Sequence, residues 1–103
     1  MKLTDIEKST LKLLHYMGYN YVIRDSVGLR AYKIKPELHI SQSTSFRMWM
    51  SSLSAEHDGY IRLHSDKFPQ VGYHETEPYI ITKNATLKLL TKKAVAVWHS
   101  INH

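Results

Sequence analysis

The stretch Tyr73-His74-Glu75-Thr76-Glu77-Pro78-Tyr79 places one imidazole and two carboxylates within four residues. Those groups can bind a metal, work as an acid/base pair, or form a polar entry to a strand. If the backbone is extended, Glu75 and Glu77 share a face and His74 points to the other. Two carboxylates held close raise the pKa of one of them, which is how a paired acid and base arise. No second anionic or histidine cluster lies nearby in sequence to complete a centre. Two solvated glutamates ahead of Pro78 account for the same residues.

Other candidate groups are sparser. His99 and His103 stand i, i+4 near the end of the chain, the spacing that lets two imidazoles on one helix face share a metal. The intervening Ser100-Ile101-Asn102 supplies no general base, and a histidine near a helix C-terminus is favoured by the helix dipole without any metal. His64-Ser65-Asp66 is a weaker pair of the same kind. Serines abound between 41 and 54, but neither a Gly-x-Ser-x-Gly elbow nor a Ser-x-x-Lys arrangement is present, and four scattered glycines build no phosphate loop. There is no cysteine, so thiolate catalysis, cysteine zinc sites and disulfides are excluded. The expectation is a non-enzyme with no catalytic residue, no cofactor and no metal.

Binding chemistry is better represented. Fourteen Lys and Arg against nine Asp and Glu give a formal charge of +5, which attracts anionic partners at long range. The basic residues are dispersed, with no run longer than Lys92-Lys93. Within 19–35, Arg24, Lys33 and Lys35 fall on one face of an expected hairpin, a candidate surface for phosphate or an acidic protein. Tyr19, Tyr21, Tyr32 and Tyr60 could stack bases, but cross-strand aromatics more often pack beneath other elements.

The elements that must position these groups follow from local patterns. Thr4-Asp5-Ile6-Glu7 is a capping box, and Gly18 suits a left-handed C-terminal cap, so a helix is expected over about 4–17. Leu3, Ile6, Leu13, Leu14 and Met17 are its expected apolar stripe. Residues 19–24 and 29–35 alternate as strands around Asp25-Ser26-Val27-Gly28, an Asp-first, Gly-last turn. Pairing Arg24 with Leu29 gathers Tyr19, Tyr21, Ile23, Tyr32 and Ile34 on one face with Arg30 at its edge. Asn20, Arg24, Lys33 and Lys35 then surround Val22, Leu29 and Ala31 on the other. A slip of one residue would mix the two sets. Pro36 is expected to end the second strand.

Residues 41–54 fit two patterns. Phe46, Trp49, Met50 and Leu53 match helical spacing, whereas Phe46, Met48 and Met50 alternate as in a strand. A turn at His57-Asp58-Gly59, short strands at 60–64 and 79–81, and a final helix capped by Thr82 or Asn84 complete the reading. That helix carries Leu87, Leu90, Ala94, Val97, Trp98 and Ile101 as its stripe. Residues 1–103 therefore read as a single α+β domain: a small antiparallel meander of about four strands packed with an N-terminal and a C-terminal helix. With 43% hydrophobic and 22% charged residues the chain is globular, with no apolar run long enough for a signal peptide or a membrane span. A cytoplasmic location is expected.

Two stretches together carry a resemblance. "YVIRDSVGLRAYKIKP" and "FPQVGYHETEPYII" resemble the aromatic hairpin and the phenylalanine-led acidic Glu-Pro-aromatic end of small phage and prophage proteins of Gram-positive bacteria. Phe68, Tyr73, Glu75, Glu77, Pro78 and Tyr79 stand in the matching roles, and the likeness covers 19–36 and 68–81. Tyr73 replaces the usual tryptophan, and His74 and Thr76 thin the acidic cluster. The resemblance implies a small antiparallel sheet, a phage accessory role inside the bacterial host, and no catalytic residues to carry over. It makes the acidic lead-in structural or partner-facing, with Arg30 or Arg62 as possible ion-pair partners. The expected function is binding that blocks or redirects a host macromolecule, as anti-defence inhibitors such as anti-CRISPR proteins do. The partner would be a host protein or protein–nucleic-acid complex met through Arg24, Lys33, Lys35, Glu75 and Glu77. The alternative is direct DNA or RNA binding by the basic hairpin face.

Overall fold

A computed structural model describes residues 2–51, 59–84 and 87–88. Helix α1 (Asp5–Tyr16) begins at Thr4, whose hydroxyl accepts from Glu7 N while Glu7 Oε1 accepts from Thr4 N, the reciprocal capping box. It ends in a Schellman motif: Gly18, at φ +102°, donates to His15 O, and Tyr19 donates to Leu14 O.

Strands β1 (Tyr21–Asp25) and β2 (Gly28–Tyr32) form the expected hairpin in the expected register, with Arg24 opposite Leu29. Asp25 Oδ1 accepts from the backbone N–H of Val27 and of Gly28, which fixes the two-residue loop. Strands β3 (Glu37–Ile40) and β4 (Arg47–Met50) pair with each other as a separate two-stranded sheet. Strands β5 (Tyr60–Leu63) and β6 (Tyr79–Ile80) flank the hairpin, giving an antiparallel sheet of order β5-β2-β1-β6. A single 3-10 turn (Ile81–Lys83) follows β6. The architecture is α+β. Its central strands are not a simple chain-order meander, because the β3–β4 hairpin intervenes between β2 and β5. Residues 47–50, which fitted both patterns, are strand. The expected final helix and the turn at 57–58 lie outside the described residues, save for Leu87, which packs against the core.

The central sheet is covered on both faces. Val22, Leu29 and Ala31 meet Leu11 and Leu14 of α1 together with Phe68, Val71 and Ile81. On the other face Ile23 and Tyr32 meet Trp49 of β4, with Tyr21, Leu38 and Tyr60 around them. This corrects two expectations. The face bearing Arg24 is the principal core rather than a solvated sheet surface. Tyr19 belongs to that core and not with Tyr21, because the helix cap places it before strand alternation begins.

The buried stripe of α1 also differs. Glu7, Leu11 and Leu14 point inward, while Ile6, Leu13 and Met17 are exposed. A carboxylate can sit in that stripe because it is fully engaged: Oε1 accepts from Thr4 N and Oε2 from Phe68 N at 2.5 Å. Those backbone N–H groups, the Thr4 bond foremost, hold the Glu7 carboxyl below the usual carboxylate range.

Arg30 is likewise buried and not at an edge. Its Nη2 meets Asp25 Oδ2 at 2.5 Å and donates to Trp49 O, its Nη1 donates to the Tyr32 hydroxyl, and Asp25 Oδ2 also accepts from Trp49 N. The guanidinium lies 5.5 Å from the Tyr32 ring centre and 5.7 Å from that of Tyr60. Both backbone polar groups of Trp49 are thus held by one ion pair, which fastens β4 to the central sheet.

Two outcomes are expected. A lowered Glu7 pKa supplies stability that is present above the unfolded value of about 4.3 and is lost as pH falls through the folded value. Glu7→Gln should therefore cost about 1.5–3 kcal/mol at pH 7, and the gap to the parent should close toward pH 3 in urea melts. An equal gap at both pH values would contradict it. Asp25→Ala should cost about 3–5 kcal/mol by stranding the Arg30 charge, whereas Asp25→Ala with Arg30→Met should recover part of that loss.

Candidate partner-binding groove

The acidic lead-in is not extended. Residues 72–77 turn and bend, and strand geometry begins only at Tyr79. Buried Pro78 and the pairing of Tyr79 and Ile80 with Val22 and Tyr21 anchor one end of the segment. Arg47 of β4 anchors the middle, its Nη2 donating to Glu75 O at 2.6 Å. Glu75 folds back over Gly72, where a methyl group would stand 3.2 Å from its Oε1.

This folding creates two concavities that share Glu77 as a common wall. One, of about 470 Å³, is lined by Gln70, Val71, Glu75, Glu77, Tyr79 and Lys83 among others. The second, of about 410 Å³, lies toward β3 and β4 and is lined by Lys35, Pro36, Leu38, Trp49 and Thr76 together with Glu77. Glu75 and Glu77 therefore face one groove even though the backbone is not extended. Lys35 Nζ stands 3.3 Å from Glu77 Oε2, both side chains more than half exposed, so the pair is solvent-screened and worth no more than about 1 kcal/mol. The groove thus offers solvent-exposed carboxylates and ammonium groups beside an apolar wall.

Gln70 was not anticipated from the sequence. Both atoms of its side-chain amide are buried without a hydrogen-bond partner among the described residues. An amide in that state costs on the order of 1–3 kcal/mol. Burial pushes the Tyr79 phenol up, so it stays a neutral donor and acceptor, and Asn84 Nδ2 donates to its oxygen.

The three basic residues assigned to one face are separated. Arg24 turns onto the backbone of 65–71: Nε donates to Val71 O, Nη1 to Ser65 O, and Nη2 to Lys67 O and Phe68 O. It serves the fold. Lys33 and Lys35 lie exposed beyond the end of β2, Lys33 with its Nζ 5.2 Å from the Tyr19 ring centre. Arg30 pairs with Asp25 and not with the acidic lead-in, and Arg62 sits opposite Arg30 across the β2–β5 ladder.

The remaining candidates resolve simply. His64 Nδ1 and Asp66 Oδ1 are 2.6 Å apart on an exposed turn. His74 packs edge-on to Tyr73, with ring centres 5.3 Å apart. His99 and His103 lie outside the described residues. Among the described residues no group of three His, Asp or Glu side chains could hold a metal ion, and no helix is long and apolar enough to cross a membrane. No family model, curated protein or solved structure matches this chain.

Removing the Arg24 fork should unfold the loop it holds. Arg24→Ala is expected to cost about 2–3 kcal/mol, a fall of roughly 10 °C or more in melting temperature, because four carbonyls lose a charged donor together. Arg24→Lys should recover little, since an ammonium cannot reach carbonyls spread across the guanidinium fork. A fully stable Arg24→Ala protein would contradict this role.

Proposed function

We propose that this protein is a non-enzymatic phage accessory protein that binds a host protein and blocks or redirects it, using the groove around Glu75 and Glu77. The phage origin rests on the resemblance of 19–36 and 68–81, and the mode of action on the groove. The observation that carries the reading is the arrangement of charge about Glu77. Exposed Glu75 and Glu77, exposed Lys35 and Lys83, an orphan amide on Gln70 and an apolar wall from Val71, Leu38 and Trp49 line adjoining concavities. Alternating charges over an apolar floor suit a polypeptide segment, whose side chains carry both signs and whose backbone offers amides. A phosphate backbone would meet carboxylates there.

The same geometry weakens the direct nucleic-acid reading, since Arg24 has committed its guanidinium to Ser65, Lys67, Phe68 and Val71. A phosphate-binding surface on this hairpin retains Lys33 and Lys35, one of them beside Glu77.

The reading is tested by purifying tagged parent and Glu75→Gln/Glu77→Gln protein from nuclease-treated host lysate. One stoichiometric partner should come down with the parent, persist at moderate salt, and fall at least about tenfold with the double variant, whose melting temperature should stay within a few degrees of the parent. Absence of a partner, beside micromolar binding to DNA or RNA that loses close to one log unit per phosphate contact for each decade of salt, would establish the rival instead.

A further inference from the structure

Residues 72–77 run between two fixed points. Val71 and Pro78 are buried, and Arg24 Nε donates to Val71 O at 2.9 Å. Tyr73 through Glu77 are exposed, and among the described residues no backbone–backbone hydrogen bond ties 72–77 to another segment. Two side chains from elsewhere in the described chain bond to it, both from the side of β3 and β4. Lys35 meets the Glu77 carboxylate in an exposed pair that solvent screens, and Arg47 donates to Glu75 O. Of these two ties, that of Arg47 is the stronger.

That tie is finely balanced. A bond from a guanidinium to a carbonyl at 2.6 Å favours the seated segment. Against it, Arg47 Nε is buried with no acceptor, and among the described residues no carboxylate lies within ion-pair distance of the guanidinium. A buried donor left unpaired costs an amount of the same order as such a bond contributes. A guanidinium that lets go of Glu75 O can carry Nε into water and recover its hydration. Gly72, next to the fixed Val71, gives the backbone freedom to bow outward at that end.

The seating of 72–77 decides the shape of the groove. Glu75 and Glu77 line the concavity of about 470 Å³ beside Val71 and Tyr79, while Thr76 and Glu77 line the one of about 410 Å³ beside Leu38 and Trp49. Glu75, Thr76 and Glu77 thus stand between the two. Moved outward, they leave one continuous groove from Lys83 to Trp49.

We propose that residues 72–77 are a strap latched by Arg47, which opens without unfolding of the core and joins the two concavities. Admission of a partner segment through that opening rests on the groove being the binding surface. The opening itself is a property of the chain alone.

Glu75 O belongs to the Glu75–Thr76 peptide bond, so a glutamate-specific protease must take the very oxygen that Arg47 holds. In the same digest the Glu7–Lys8 bond, inside α1, reports unfolding. Purified full-length parent should be cut at Glu75–Thr76 at a rate nearly independent of dilute urea, while cutting at Glu7–Lys8 climbs with urea. Arg47→Met should speed the first cut at least about tenfold and leave the second within about twofold. Lys35→Met should change neither by more than about twofold, because its pair is screened. Equal rates at Glu75–Thr76 in parent and Arg47→Met, or equal acceleration of both cuts, would overturn the proposal. So would the same urea dependence for both cuts in the parent, a comparison that decides even where Arg47→Met fails to fold. A parent that opens as expected but captures no partner from nuclease-treated lysate would overturn the binding reading and leave the strap standing.

Discussion

The segment 64–71 contributes Phe68 and Val71 to the principal core, yet it has no strand or helix of its own to hold it there. Arg24 and Glu7 do that work from opposite sides. The guanidinium takes the carbonyls of Ser65, Lys67, Phe68 and Val71, while the Glu7 carboxylate takes the Phe68 N–H. Phe68 itself adopts φ +52°, which costs a non-glycine residue on the order of 1 kcal/mol or more and persists only where surrounding contacts fix it. Its ring is fully buried between α1 and the sheet. A hydrophobic side chain in an irregular loop is thereby placed by charged groups that bind its backbone.

A second electrostatic clamp organises the opposite face. Asp25 serves two structures at once: Oδ1 caps the β1–β2 turn, and Oδ2 joins Arg30 in holding the backbone of Trp49. The register of the central hairpin and the position of the β3–β4 hairpin are therefore coupled through one carboxylate. Burial of such a pair is costly, and it is tolerated because Asp25 is satisfied on both oxygens and Arg30 stands by two tyrosine rings.

The groove depends on both clamps. Its floor includes Val71, positioned by Arg24, and its far wall includes Trp49, positioned by Asp25 and Arg30. Arg47 then spans from β4 to the acidic lead-in. Glu75 and Glu77 can remain exposed because the fold makes little use of their carboxylates, in contrast with Glu7 and Asp25. Among the acidic residues, buried Glu7 and Asp25, each with several donors, build the molecule, whereas Glu75 and Glu77 stay exposed to solvent.

The sequence by itself determined the local structure. The capping box at Thr4–Glu7, the glycine cap at Gly18, the Asp25–Gly28 turn and the Arg24–Leu29 register each depend on interactions within a few residues, and each stands as expected. The β-pattern of 60–63 and the α+β class follow from the same short-range periodicity. Tertiary structure decided what each polar side chain does. Arg24 and Arg30 differ little as residues on a strand, and Glu7, Glu75 and Glu77 are alike in composition. Arg24, Arg30 and Glu7 each meet backbone groups 19 to 61 positions away, which no local spacing encodes. The same holds for α1: two apolar stripes run along it, and only the arrival of Phe68, Val71 and Ile81 chose the one that is buried. Periodicity shows which residues share a face, whereas the choice of face to desolvate belongs to distant segments brought together by folding.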